Sequence, residues 1–364
     1  MTLLPSRRSL RRAAAGLATA ALAATVLAAC GSSDAGTGGS SAAGNASALR
    51  LGYFANVTHA AAVLGVADGE FQTALGDTKL ETQVFNAGPA AIEALNAGSI
   101  DAAFLGPSPA INSYVKSSGA SLRIVAGATA NGASLVVKPE ITSVEQLKGK
   151  KIATPQLGGT QDVALRKYLF DNGMKVQTNG GSDVDVVNQD NSQTLDLFRA
   201  GQVDGGWLPE PWASRLVIDA GATVLVDETK LWPDGQFPTT ILIVAKSYLD
   251  ANPTVVENLI KGELATIATI EKDPAAASTA INKAIGDLTG KPLSDEVMER
   301  SFANIVITPD PLASTYQAQG EHAVDAGLLK TAPDVNGIFD LRILNKVLTA
   351  DGEKAVSAGG LGQE

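Results

Sequence analysis

Glu93-Ala94-Leu95-Asn96-Ala97-Gly98-Ser99-Ile100-Asp101-Ala102-Ala103-Phe104-Leu105 returns, 103 residues on, as Asp196-Leu197-Phe198-Arg199-Ala200-Gly201-Gln202-Val203-Asp204-Gly205-Gly206-Trp207-Leu208. Each copy reads as a helix end, an Ala-Gly stop and a short apolar strand with an aspartate near its start. A proline-containing loop follows each, Gly106-Pro107-Ser108-Pro109 and Pro209-Glu210-Pro211-Trp212. A second echo lies upstream: strand, loop and helix begin at Leu49 and again at Lys150, with Thr58 and Thr160 in matching loops. Two matching layouts in one order predict two similar α/β lobes with equivalent loops. Asp101 and Asp204 are read as structural, near strand starts and away from the cleft.

Around these copies, strand-like and helix-like segments alternate. Apolar, β-branched runs recur at 122–128, 135–138, 184–187, 223–226 and 239–245, with helical patterns such as 89–96 and 161–171 between them. The alternation argues for α/β architecture with mostly parallel sheets. After residue 245 the pattern turns helical, over 253–273, 274–285, 294–304 and 311–326, the last opened by Thr308-Pro309-Asp310-Pro311. The expected division is a lobe at 49–131 and 239–330 with C-terminal helices, a second lobe at 136–235, and a helical tail at 331–364. Two crossovers, near 131–135 with Gly132 and near 236–240, would form the hinge.

Residues 1–29 read as a secretory signal: Arg7, Arg8, Arg11 and Arg12, then an Ala-rich apolar run closing on Leu27-Ala28-Ala29-Cys30. Ser6-Arg7-Arg8-Ser9-Leu10 is similar to a twin-arginine export motif. The closing residues resemble a bacterial lipobox, which implies lipidation of Cys30, the chain's single cysteine. Residues 30–48 would be a flexible Gly/Ser/Ala tether, holding the protein at the extracytoplasmic face of the cell membrane. The formal net charge of −10 grows more negative once the leader's arginines are removed, which argues against nucleic-acid partners. The two histidines, His59 and His322, give no metal-ligand spacing, and there is no Gly-x-Ser-x-Gly elbow. No metal, cofactor or catalytic residue is expected, and a monomer is.

In open α/β sheets ligands sit beyond the carboxyl ends of the strands. Four loops qualify: 53–59 and 106–109 from one lobe, 156–162 and 207–212 from the other. Leu157-Gly158-Gly159-Thr160-Gln161-Asp162 leads into a helix whose free N–H groups and dipole could hold an anion without Lys or Arg. Plain N-capping by Thr and Ser is the alternative use of these residues. Trp207 and Trp212 flank Glu210, either as core aromatics or as an apolar wall with a carboxylate accepting from an amine or hydroxyl. The candidate ligand-binding set is Tyr53, Asn56, Thr58, His59, Gly88, Gly106, Ser108, Gly132, Gly159, Thr160, Gln161, Trp207, Glu210 and Trp212.

Several runs carry a resemblance across 49–330: Leu51-Gly52-Tyr53-Phe54, Phe85-Asn86-Ala87-Gly88-Pro89, the first copy of the doubled unit, 144–153, and Val203 through Pro211. In them the chain resembles the nitrate/sulfonate/taurine group of solute-binding lipoproteins of ABC importers. The resemblance implies a bilobed periplasmic-binding-protein type 2 fold, two α/β lobes joined by two crossover strands. It also implies a small anionic ligand and a membrane permease with a cytoplasmic ATPase as partner. Aliphatic sulfonate or taurine is the favoured ligand, with nitrate as a further candidate. Asn56-Val57-Thr58-His59 is more similar to binders of thiamine-pyrimidine precursors, so such a precursor, or an aromatic carboxylate, is the alternative. Pyrimidine synthases share the fold and use a histidine in the corresponding loop, but they carry a cysteine-rich motif absent here.

Overall fold

The computed structural model describes residues 46–364. The leader at 1–29, Cys30 and the tether as far as residue 45 lie outside the described residues. The tether, expected to reach residue 48, stops sooner, because Ala48 already opens the first strand.

The strands are β1 (Ala48–Tyr53), β2 (Lys79–Val84), β3 (Ala102–Leu105), β4 (Leu122–Asn131), β5 (Ala133–Val137), β6 (Lys151–Thr154), β7 (Asp185–Asn188), β8 (Gly205–Pro209), β9 (Thr223–Asp227), β10 (Pro238–Ala245), β11 (Ile305–Ile307), β12 (Phe339–Asp340) and β13 (Gly362–Gln363). The helices are α1 (Ala60–Ala67), α2 (Glu70–Leu75), α3 (Gly88–Asn96), α4 (Pro107–Lys116), α5 (Thr160–Asp171), α6 (Asn191–Arg199), α7 (Trp212–Ala220), α8 (Lys246–Ala251), α9 (Pro253–Lys272), α10 (Pro274–Thr289), α11 (Asp295–Ala303), α12 (Tyr316–Asp325) and α13 (Arg342–Ala350).

Two sheets form. The first runs β13-β12-β4-β10-β3-β1-β2 with β11 on β4, the second β7-β6-β8-β5-β9. Read from one edge, β2-β1-β3-β10-β4 and β7-β6-β8-β5-β9 are the same arrangement. In each the first three strands are parallel, and the next pairs antiparallel to its neighbours. Each lobe therefore mixes parallel and antiparallel pairs, where mostly parallel sheets were expected. The chain enters the second sheet through Asn131 and Gly132, both at positive φ (63° and 76°), and returns to the first at Pro238. At that crossing Asn131 and Phe237 pair by backbone, the Asn131 N–H donating to the Phe237 carbonyl at 2.8 Å.

The doubled sequence is a doubled set of bonds. Gly98 and Gly201 both take φ 70°, which a residue with a Cβ rarely adopts. The next N–H, of Ser99 or Gln202, reaches back to Ala94 or Leu197 at 2.8 Å in both copies. Asp101 then accepts the Arg50 N–H at 2.9 Å at the start of β1, and Asp204 accepts the Lys151 N–H at 3.0 Å at the start of β6. Each carboxylate also carries a cation, Arg50 for Asp101 and Lys138, at 2.7 Å, for Asp204.

Two expectations fail near the C-terminus. Helix was expected from residue 311, but α12 starts at Tyr316. Residues 308–311 run along β4 instead: the Gly127 N–H donates to the Pro309 carbonyl at 2.7 Å, and a Cβ on Gly127 would lie 2.3 Å from the Asp310 oxygen; a 3-10 turn at Ala313–Thr315 then leads into α12. The helix-start signal of Pro309 and Pro311 is thus overridden by strand pairing. Residues 331–364 are not a helical tail: they hold α13 and two short strands, β12 joining β4 and β13 joining β12. Among the described residues no helix is long and apolar enough to cross a membrane.

Asp204→Ala strips the Lys151 N–H and the Lys138 ammonium of a shared acceptor. It should cost about 1–3 kcal/mol in urea unfolding, with ligand affinity unchanged. A variant as stable as the parent would remove the aspartate from the scaffold.

Candidate functional site

The ends of β1, β2, β3, β6, β7 and β8 face one another across the crossing, and the loops after them enclose a cavity. With the lobes in this position the cavity is tight, about 30 Å³. Eight of the fourteen candidate residues line it: Asn56, Thr58 and His59 after β1, Gly88 at α3, Gly106 at α4, and Gly159, Thr160 and Gln161 at α5. Sequence reading passed over Phe54, Asn86, Asn191, Pro209 and Thr239, which also line it. The doubling could have found two of them. Gly106 and Pro209 are 103 residues apart, as are Gly88 and Asn191, and in each pair both positions line the cavity.

The glycine loop before α5 is held from beneath. Asp162, fully buried, accepts the Gly158 N–H, the Thr154 hydroxyl and the Arg166 Nε–H at 3.0 Å each, and the Asn188 amide at 2.8 Å. These bonds fix where α5 begins. The N–H groups of Thr160 and Gln161 find no acceptor among the described residues. They are the unsatisfied donors of a helix start, and they face the cavity with the α5 dipole behind them.

His59 supplies a second donor. Its Nδ1 accepts the Phe54 N–H at 3.4 Å, and its ring lies 4.2 Å from the Phe54 ring. Burial pushes its pKa down to about 3, so the ring is neutral at pH 7 and Nε2 keeps the proton. No Lys, Arg, Asp or Glu lines the cavity. A ligand oxyanion would therefore meet neutral N–H and O–H groups only.

Four hydrogen bonds cross between the lobes around this space. Trp212 Nε1 donates to Asn56 Oδ1 at 2.9 Å, and Asn86 Nδ2 to Asp190 Oδ2 at 3.1 Å. The Thr58 N–H donates to the Glu210 carbonyl and the Ser108 N–H to Thr160 Oγ1, both at 3.4 Å. The lobes are shut upon the cavity. Gly106 makes this possible, since a Cβ there would sit 2.2 Å from Thr160 Oγ1.

Six candidates lie elsewhere. Tyr53 ends β1 in the core, 2 % exposed. Ser108 is the interlobe donor just described. Gly132 is a hinge residue whose carbonyl accepts the Glu210 N–H at 2.8 Å. Trp207 is no ligand wall: it is fully buried in the second lobe, and its indole donates to Glu228 at 2.6 Å. Neighbouring strand positions face opposite ways, so Trp207 joins one core and Leu208 another. Glu210 is not free to meet an amine. It is 1 % exposed, and its carboxylate accepts the Ser214 N–H (3.0 Å), the Ser301 hydroxyl (3.3 Å) and the Asn304 amide (2.7 Å). It pins α7 to α11. Trp212 stands at the rim rather than in the cavity, with the Arg215 guanidinium 4.7 Å from its ring centre. Among the described residues no cluster of His, Cys, Asp and Glu is arranged to hold a metal.

Glu228 also accepts Trp232 Nε1 at 3.3 Å, and Trp232 packs on Phe237 at the crossing and on His322 of α12. Burial raises the Glu228 pKa to about 7. The native state keeps the proton longer than the unfolded chain, so this group's contribution to stability is lost as pH rises from about 4.5 to 7. His59 acts oppositely, costing stability as pH falls from 6.5 towards 3.

Two outcomes follow from this geometry. Gly106→Ala should hold the lobes apart and weaken ligand binding at least tenfold, read by calorimetry; unchanged affinity would contradict the closed geometry. Tryptophan emission should show a titration centred near pH 7 that Glu228→Gln abolishes. A titration that survives in Glu228→Gln would place its source elsewhere.

Comparison with known proteins gives the frame a lineage. A protein of Brucella abortus, named only as a binding protein, is 29% identical over 182 residues, covering 50% of this chain and 54% of its own. An Escherichia coli protein named for binding aliphatic sulfonates is 30% identical over 198 residues, covering 53% and 56%. The Escherichia coli taurine-binding periplasmic protein is 26% identical over 198 residues, covering 54% and 59%. The chain spans about half the length of the curated relatives it matches. Among solved structures, the alkanesulfonate-binding protein of Xanthomonas axonopodis pv. citri, bound to MOPS, superposes with a TM-score of 0.66 at 24% identity, over 80% of this chain and 96% of that one. The periplasmic nitrate-binding protein of Synechocystis PCC 6803 gives 0.66 at 17%, over 79% and 84%. These likenesses establish the fold, a bilobed periplasmic-binding-protein fold with two α/β lobes. The model of the NMT1-like family matches residues 42–285, and the chain belongs to that family.

Proposed function

We propose that this protein is the extracytoplasmic solute-binding component of an ABC importer, capturing a small anion in the interlobe cleft for a permease with a cytoplasmic ATPase. The observation that carries the reading is the shut cavity lined by neutral donors: the Thr160 and Gln161 N–H groups and the His59 imidazole. A dry site of oriented dipoles can stabilise an oxyanion without a counter-charge. It can also release the anion when the lobes part, because water then replaces every donor. The names of the sulfonate- and taurine-binding relatives support sulfonates as the leading class, ahead of nitrate. Export and lipidation at Cys30 belong to the same reading and rest on the leader sequence, and a monomeric state belongs to it as well.

A pyrimidine precursor or aromatic carboxylate is the second reading. Phe54 and His59 favour it, since their paired rings form one wall of the cavity.

A thermal-shift panel of alkanesulfonates, taurine, nitrate, aromatic carboxylates and pyrimidine precursors tests both. Saturation at 100 Kd should add about 2.7 kcal/mol of stability. No shift from any anion would sink the capture reading, and a shift from precursors alone would transfer it to the second. His59→Ala should lower affinity for the best anion by about 2 kcal/mol, roughly 30-fold.

A further inference from the structure

The cavity has a second end. Asn191 opens α6, is 6 % exposed, and lines both the cavity and the depression outside it. Its Oδ1 is buried and has no hydrogen-bond partner. Beside it, Asp190 borders the depressions on both sides of the Asn86 bridge. One Asp190 oxygen takes the Asn86 amide at 3.1 Å, and the other has no donor among the described residues. Asn56, Asn86 and Asn191 line both the cavity and the depression that Asp190 borders, so the two spaces adjoin.

The α5 N-terminus and the mouth of the cavity thus differ in what they offer. The α5 N-terminus and His59 offer N–H groups, while Asn191 offers an unpaired oxygen and Asp190 a carboxylate towards the mouth. We infer that Asn191 and Asp190 are specificity residues, selecting ligands that carry a protonated amine or other N–H donor at the end opposite the oxyanion. This rests on the anion-capture reading and deepens it.

A buried acceptor that stays unpaired in the complex carries its desolvation cost into every bound state, and a ligand N–H removes that cost. A carboxylate near the mouth also disfavours a second negative charge and favours a positive one. A ligand with one charge of each sign leaves the otherwise uncharged cavity electrically balanced. The duplication shows how the two lobes differ at these two positions. Gly88 and Asn191 are equivalent helix starts, as are the preceding Ala87 and Asp190. The first lobe has no side-chain acceptor at these two positions, and the second lobe has two.

Calorimetry with matched pairs tests this: 2-aminoethanesulfonate against ethanesulfonate, and β-alanine against propionate. The parent protein should bind the amine-bearing member at least tenfold tighter in the better-bound pair. Asp190→Asn should shrink that ratio several-fold. Because Asp190 also bridges to Asn86, the ratio is the readout, and a loss shared equally by both members would mark a purely structural role and overturn the assignment. Asn191→Asp should keep or enlarge the preference if position 191 turns an oxygen to the ligand. Loss of the preference in Asn191→Asp would mean that the amide donates to the oxyanion, and would overturn the proposal. Equal affinities within both pairs overturn this inference alone, while no binding by any of the four, nor by any other small anion, overturns the capture reading with it.

Discussion

Each lobe depends on one carboxylate accepting a backbone N–H near the start of its first parallel strand. Asp101 does this for β1 and Asp204 for β6. The aspartate immediately precedes the next parallel strand of its sheet, so one side chain fixes the register of the two strands. The glycine stop ahead of it turns the preceding helix back at the right point, through a left-handed residue that only glycine adopts freely. The aspartate's own N–H returns a bond of 2.8 Å to the same partner, Arg50 or Lys151. The bond is thus mutual, and it is insulated from slippage, since a shift of one residue would turn every apolar side chain of β3 or β8 to the wrong face.

Because this unit sits at the starts of the strands, their far ends are free to vary. The same frame delivers Gly106 on one side and Pro209 on the other, Gly88 opposite Asn191, and Asn56 opposite Gly159. A cavity lined by equivalent positions of two lobes is symmetric in backbone and asymmetric in chemistry. Its backbone supplies helix starts from both sides, and its side chains decide which of them stay donors. Closure is held by four hydrogen bonds between loops, each of modest net worth in water, with Glu210 bonded to Ser301 and Asn304 and Lys167 paired with Asp325 further out. Such a balance suits a cleft that must open as well as shut, with the bound molecule supplying the missing preference for the shut state.

Much of this was legible in the chain because it is local. The helix stop, the aspartate, the glycine loop before α5 and the Asn56–His59 turn are short-range signals, and all sit where they were expected. What escaped depends on partners distant in sequence. Trp207 reads equally well as wall or core until Glu228, 21 residues on, is seen taking its indole N–H. Glu210 reads as a loop carboxylate until Ser301 and Asn304 arrive from α11, 91 and 94 residues away. The helix signal at Pro309 and Pro311 was sound as local chemistry, but the open edge of β4 claimed the segment. Asn191 carries no motif of its own, and only its standing as the counterpart of Gly88 marks it.

The neutrality of the cavity follows from these constraints. Glu210 reaches the same region as the donors, yet both of its carboxylate oxygens are already bonded to Ser214, Ser301 and Asn304, so it serves as a strut. Arg166, the nearest strong cation to the α5 start, is likewise spent on Asp162 below the loop. Glu210 and Arg166 are thus both spent within the scaffold, and the Asp190 carboxylate at the mouth is bonded only to the Asn86 amide among the described residues. An exposed lysine in that space would bind any anion tightly and, with its strong field, release it slowly. Dipoles fixed by paired charges give a weaker and more directional field, one that discriminates by shape and by where the hydrogens are. That leaves selectivity to side chains whose hydrogen-bonding capacity is not already used, among them His59, Asn191 and the outer oxygen of Asp190.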